Sequence, residues 1–279
     1  MSLGLGLLML PTLLALLAAL ALDALVGDPE RLWRHLPHPV ALIGRLVGHL
    51  DRRLNDPRLS ERHLSDRRRR ARGFGAAAVI VGVPAVIAGA LQAALLALLP
   101  LPLALAAIAV MAAVLIAQRS LDEHVAAVAT GLRTGGLAGG RRAIALVVGR
   151  DPERLDEAGV VRAAIETTAE SFCDGVVAPA FWFALLGLPG IAAYKAANTA
   201  DSMIGHRTPR HAAFGCAAAR LDDLLNLVPA RLAGLLVALA APVAGGRVAR
   251  ALAVMRRDAP KHASPHAGCG KKPLSIFPG

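Results

Sequence analysis

Residues 67–117 read RRRRARGFGAAAVIVGVPAVIAGALQAALLALLPLPLALAAIAVMAAVLIA. Four consecutive arginines, and a fifth at Arg72, give way to a run with no charged side chain from Gly73 to Ala117. About 20 uncharged, apolar residues are enough for a helix to cross a hydrocarbon core. The run divides into two such spans, Phe74–Leu99 and Leu103–Ala117. Pro100-Leu101-Pro102 joins them and is too short for anything but a tight hairpin turn. This reading predicts an all-α, polytopic helical membrane protein.

Toward the N-terminus, Leu3–Leu22 is a further apolar stretch. It has no basic leader and no small-x-small cleavage site before Asp23, so it reads as a retained first span rather than a signal peptide. Asp23–Val40 contains Asp-Pro, Leu-Pro and His-Pro steps, which disfavour helix before each proline. It reads as an ordered loop at the membrane edge. In Ala41–Leu54, Leu42, Leu46 and Leu50 recur at spacing four among Arg45, His49, Arg52 and Arg53, the pattern of an amphipathic interfacial helix. From Asp51 to Arg72 the chain carries nine arginines against four acids. A loop this basic, residues 51–72, stays in the cytosol. The N-terminus is then outside, the first span runs inward, and the protein is expected in the cell (inner) membrane as a multi-pass protein.

Composition agrees. Hydrophobic residues make up 55% of the 279, mean hydropathy is +0.53, and only 18% are charged. The net charge of +11 flanks apolar stretches, and aromatic residues are 3%, too few to stack on bases. No nucleic-acid partner is expected; the partner implied is membrane lipid. Cys173, Cys216 and Cys269 are too far apart for a disulfide framework or a zinc site and read as reduced, incidental thiols.

Toward the C-terminus the pattern weakens. Residues 118–175 form a polar segment with a glycine-rich stretch, Gly131–Gly140, and a helix-like stretch, Leu155–Phe172, preceded by the start signal Asp151-Pro152-Glu153. Two marginal apolar segments follow. Val176–Tyr194 is interrupted by Pro179, Gly187, Pro189 and Gly190, and Val228–Gly245 contains Arg231 and Pro242. The tail Arg247–Gly279 has seven Lys/Arg against one acid and belongs with the cytosolic side. Both marginal segments therefore cross, or neither does. If both cross, the polar segment 195–227 lies outside. If neither crosses, they are re-entrant or buried in the bundle. The prediction is a single membrane-embedded domain, residues 1–279, with three spans plus two marginal apolar segments and no internal repeat.

Three groups of residues could carry chemistry. Glu166, Glu170 and Asp174 at spacing four would form one acidic stripe on a helix, a pattern that can hold Mg²⁺ with the phosphates of a nucleotide. The same stripe also suits a solvated face, with Arg162 pairing Glu166. Asn198, Asp201, Ser202, His206 and Arg207 crowd between two apolar segments, where polar groups are costly and tend to be functional, although an exposed connecting loop would look alike. Asp23, Asp28, His35 and His38 suit turn and cap chemistry as well as a site. No phosphate-binding Gly-x4-Gly-Lys-Ser/Thr loop, Gly-x-Ser-x-Gly or His-Glu-x-x-His is present.

Several of these segments, in order, resemble the cobalamin-biosynthesis membrane proteins called CobD or CbiB. They are Asp23-Ala-Leu-Val-Gly-Asp-Pro-Glu30, His38-Pro-Val40, Val148-Gly-Arg-Asp151, Leu155-Asp-Glu-Ala-Gly159 and Glu166-Thr-Thr-Ala-Glu-Ser171. Asp174-Gly-Val-Val-Ala-Pro179, the block from Tyr194 to Arg207, Ala218–Asp223 and Pro229–Leu232 continue the likeness. The resemblance implies an adenosylcobinamide-phosphate synthase, a carbon–nitrogen ligase. Such an enzyme joins aminopropanol, or its O-phosphate, to a carboxyl of adenosylcobyric acid. ATP and Mg²⁺ are the implied cofactors, the corrinoid is the substrate, and other late cobalamin-synthesis enzymes are possible partners. In that light Glu166, Glu170 and Asp174 are expected to bind Mg²⁺ or nucleotide. Lys195, His206 and Arg207 would contact phosphate or corrinoid carboxylates, and Asn198 and Asp201 would orient the amine. The likeness weakens at Ser264-Pro-His-Ala-Gly268, with His where the family pattern has Asn, and Cys269–Gly279 diverges, as a frameshift, an early end or a true variant would make it. Other readings are a non-enzymatic regulator resembling AmpE, or a small-molecule transporter.

Overall fold

The computed structural model describes residues 2–56, 65–145 and 152–258, and among these there is no strand. The helices are α1 (Ser2–Val26), α2 (Glu30–Trp33), α3 (Pro39–Leu54), α4 (Asp66–Leu98), α5 (Leu101–Ala113) and α6 (Gln118–Ile144). They continue with α7 (Glu157–Phe172), α8 (Ala178–Leu186), α9 (Leu188–Ile204), α10 (Cys216–Leu225), α11 (Pro229–Ala240) and α12 (Val248–Asp258). The all-α fold class stands. Three helical runs are long and apolar enough to cross a membrane: Asp66–Leu98, Leu101–Ile144 and Glu157–Leu186. The pair Cys216–Leu225 and Pro229–Ala244, bent by 45°, makes a fourth if taken as one span.

Membership of that set differs from expectation in one place. Leu3–Leu22 is helical, within α1. The segment Val176–Tyr194 is not one unit. Its first half completes the Glu157–Leu186 run, and Gly187 (φ +69) then turns the chain into α9. The Leu188 N–H that this turn frees donates to Gln92 Oε1 of α4 at 2.7 Å. A Cβ at Gly187 would collide with that amide, so the turn requires glycine.

The second half, α9, is the centre of the molecule. It packs on α3, α4, α8 and α10. Ala196, Ala200 and Ile204 meet Ile43 and Val47 of α3, Ala76 and Ile80 of α4, and Ala218 of α10. Small side chains let these backbones approach closely, the usual basis of helix association in lipid. A second cluster joins Ala15 and Ala19 of α1 to Ile108, Ala109 and Ala112 of α5. Outside these cores the bundle presents bare aliphatics. Leu17, Val86 and Leu98 are 63%, 72% and 81% exposed, which a bilayer accommodates and water would not.

Helix α3 is more than an interfacial helix. Ile43, Val47 and Asp51 are its buried residues, one position round from the Leu42/Leu46/Leu50 stripe, and Leu42 is exposed. His38 caps it, with Nδ1 accepting from the Val40 N–H at 3.2 Å. The glycine-rich stretch is structural. Gly136 (φ +55) folds α6 back on itself, and Gly131 and Gly139 sit so close that a Cβ on either would strike the other's carbonyl. Helix α7 begins at Glu157, not at the Asp151–Glu153 signal, of which Asp151 lies outside the described residues. Asp156 caps it by accepting from the Gly159 N–H at 2.7 Å, and Pro152–Arg154 is a separate 3₁₀ turn. Of the described cysteines, Cys173 is free and buried, and Cys216 is buried on α10.

Candidate functional site

The site begins with a proline. Pro179 has no N–H to offer the carbonyl four residues earlier, at Gly175. The helix widens there into a π turn, Cys173–Val177, in which the Ala178 N–H reaches Cys173 O. The released Gly175 carbonyl accepts the N–H of Ala117 at 2.9 Å, at the break between α5 and α6. A neighbouring contact fixes the same corner. Asp23 Oδ2 at the end of α1 accepts from the N–H groups of Gln118 and Arg119 at 2.7 and 3.3 Å, the unpaired donors at the start of α6.

The π turn directs Asp174 toward α9. Tyr194 and Asn198 lie one turn apart on that helix and share a face. The Tyr194 hydroxyl lies 3.2 Å from Asp174 Oδ1 and 3.0 Å from Asn226 Oδ1, one donor between two acceptors. Asn198 Nδ2 donates to Asp174 Oδ2 at 3.1 Å and to Asp222 Oδ1 at 3.3 Å. Asn226, one turn beyond Asp222 on the same stretch, donates to Asp222 Oδ2 at 3.1 Å. A single amide thus bridges two carboxylates from different segments, and Tyr194 and Asn226 close the ring. Lys195 is within electrostatic reach of Asp174 and of Asp28, and the buried Asp201 is within reach of Asp222.

Of the residues singled out from sequence, Asp174, Lys195, Asn198 and Asp201 come together here. Glu166 and Glu170 do not join the hydrogen-bonded ring. They remain on the regular part of α7, half-buried and exposed, upstream of the widened turn. Spacing four makes a stripe only while the helix is α, and the π turn ends that register before Asp174. Among the described residues no three His, Cys, Asp or Glu side chains are grouped, and Glu166 and Glu170 are not brought together with Asp174. Ser202, His206 and Arg207 are exposed at the end of α9 and on the loop after it. Tyr194, Asp222 and Asn226 were missed. Their signal was present: polar residues at spacing four, 194 with 198 and 222 with 226, in otherwise apolar segments.

The basic segment meets this end of the molecule. Arg69 of α4 donates to the carbonyls of Arg210 at 2.6 Å and Pro209 at 3.3 Å, and Arg210 pairs with Asp51 of α3. The loop after α9 and the arginine-rich start of α4 therefore lie at one end of the bundle. This overturns the arrangement in which residues 195–227 lie across the membrane from the arginines.

Comparison with known proteins bears on what such a site serves. The family model described as CobD/Cbib protein matches residues 16–273. The cobalamin biosynthesis protein CobD of a Sinorhizobium species is 50% identical over 258 residues, covering 92% of this chain and 78% of that protein. The protein of that name from Brucella anthropi is 48% identical over 273 residues, covering 96% and 79%. That of Rhodobacter capsulatus is 48% identical over 256 residues, covering 91% and 76%. No solved structure matches. The family match runs through Ser264–Gly268, which lies outside the described residues. A match this long, to the model and to relatives at about half identity, settles the lineage: the chain belongs to the CobD/Cbib protein family.

Proposed function

We propose that this chain is the adenosylcobinamide-phosphate synthase of cobalamin biosynthesis, an amide-forming ligase of the cell membrane. It joins the amine of aminopropanol or aminopropanol O-phosphate to a propionate carboxyl of adenosylcobyric acid. A carboxylate and an ammonium ion do not condense unaided in water, because both are well solvated. Transfer of the terminal phosphoryl group of ATP to the corrinoid carboxylate gives an acyl phosphate and ADP. The amine then attacks the acyl carbon, the carbon–oxygen bond to phosphate breaks, and amide, phosphate and one proton are released.

The observation that carries this reading is the buried ring Asp174–Asn198–Asp222 at the same end of the bundle as the arginine-rich segment. Positive charge beside a span marks the cytosolic side, where ATP is available. Asp201 accepts the proton that the substrate ammonium must lose before it can attack. Asn198 and Asp201 orient the amine. Lys195, His206 and Arg207 face phosphate or corrinoid carboxylate. Oxygen donors suit Mg²⁺, which is commonly held by one or two carboxylates together with substrate phosphates. Asp174 and Asp222 would hold it here, and it would offset charge on the phosphates.

The test uses purified protein in detergent with adenosylcobyric acid and each amine, with and without ATP and Mg²⁺. Product is followed by mass spectrometry. Amide is expected only with nucleotide present. Full product without any nucleoside triphosphate would overturn the acyl-phosphate route, and no amide under any condition would overturn the ligase reading.

A further inference from the structure

Residues 205–215, between α9 and α10, form a loop that is closed at its neck and bolted at its far side. At the neck, Gly205 lies against the Asp201 side chain and backbone, and Gly215 lies against the Ile204 carbonyl. A Cβ at either position would collide. Within the loop the Ala212 N–H donates to Thr208 O at 2.8 Å and the Gly215 N–H to His211 O at 2.7 Å. The bolt is Asp51, an acid buried on α3. Its Oδ2 accepts from the Arg210 guanidinium at 2.5 Å, and its Oδ1 lies 3.3 Å from His211 Nε2. Asn55 donates to Asp51 Oδ1 at 2.9 Å and to the Arg210 carbonyl at 3.1 Å. Arg69 donates to that same carbonyl. Side chain and backbone of Arg210 are thus both held, from two helices distant in sequence.

We propose that Asp51 is a positioning residue, which through Arg210 and His211 holds His206 and Arg207 at the mouth of the buried ring to receive a substrate phosphoryl group. His206 and Arg207 are exposed and lie between the neck and the bolt. The neck residue Asp201 follows Asn198 of the ring by three positions on α9, so loop and ring are joined through one turn of one helix. A carboxylate buried on α3 needs partners to be tolerated, and two of those it has, Arg210 and His211, come from the loop. A charge-assisted pair fixes the position of a loop, which a hydrophobic contact of similar size would do less specifically. The inference rests on the ligase reading for its substrates. The phosphoryl group has two sources there, the O-phosphate of the amine and ATP.

Kinetics of the full-length protein separate them, with the amine phosphate and ATP varied in turn. Asp51→Asn and Arg210→Gln should each raise KM for one of the two by about tenfold while kcat stays within about threefold. Asp51→Glu should recover most of the loss. The substrate whose KM rises is the one the loop holds. Arg210 is at the surface, so Arg210→Gln keeps the test alive if Asp51→Asn does not fold. Unchanged KM for both substrates, or a fall in kcat alone, in folded Arg210→Gln protein overturns the proposal. If the wild-type chain makes no amide, the ligase reading fails by itself, and limited trypsin digestion judges the bolt. Cleavage after Arg207 should then be about tenfold faster in Arg210→Gln than in wild type. Equal rates overturn the bolt.

Discussion

Asn198 is the residue on which the hydrogen-bonded ring turns. Its amide nitrogen is shared by Asp174 and Asp222, and two carboxylates so placed repel each other unless something of positive character lies between them. Asn198→Leu keeps the volume and removes the donor. Two buried acceptors lose their partner, which should cost about 2–4 kcal/mol of stability and abolish amide synthesis. Tyr194→Phe removes one hydroxyl proton already divided between two acceptors, so it should cost only about 1 kcal/mol. Melting of the two variants in one detergent, followed by size exclusion, checks the order. Equal melting points for Asn198→Leu and wild type would show that the amide bridges nothing. Asn198 and Asp201 were legible because polar side chains in apolar surroundings stand out in any sequence. Asp222 and Asn226 carried a local signal in their spacing of four, but their pairing with Asn198 and Tyr194 on another helix left none.

At the scale of elements, the separation of Glu166 and Glu170 from the hydrogen-bonded ring has one cause. The stripe assumed an unbroken α-helix to Asp174, and Pro179 forbids it. The proline was in plain view, but its effect falls on the turn before it, through the carbonyl of Gly175. Pro179→Ala returns the missing N–H. The helix can then close its ladder, Gly175 O is drawn away from Ala117, and Asp174 rotates out of the ring. The variant should fold and melt no lower than wild type, while its amide-forming rate falls by about tenfold or more. Activity within twofold of wild type would show that the π turn does not depend on the proline. The glycines of α6 carry a related lesson. Composition alone could not separate a phosphate cradle from a helical hairpin, because both need backbones without side chains. Gly131 facing Gly139 decides for the hairpin.

For the whole molecule, hydropathy found the spans of α4 and of the α5–α6 run, but it could not say what α9 does. A segment with Lys195, Asn198 and Asp201 looks unfit to face lipid, and it does not have to. It is held inside the bundle by α3, α4, α8 and α10, which hydropathy does not see. Charge bias left two topologies open, and one set of long-range contacts chooses between them. Arg69 cannot donate to the carbonyls of Pro209 and Arg210 from across a membrane, so residues 65–69 and 205–211 share a side. The expected outcome is specific. In a chain with its native cysteines replaced, Ser65→Cys and His206→Cys should both resist a membrane-impermeant maleimide in intact cells. Both should react in inverted vesicles. Labelling from opposite sides would refute the contact between the arginine segment and the loop, and with it the access to cytosolic ATP that the ligase reading requires. Labelling of both from outside would keep the contact but refute the inference drawn from positive charge, and the access to cytosolic ATP that rests on it. The two failures are distinguishable because the first concerns packing, which holds in either orientation, and the second concerns how the finished bundle sits in the bilayer.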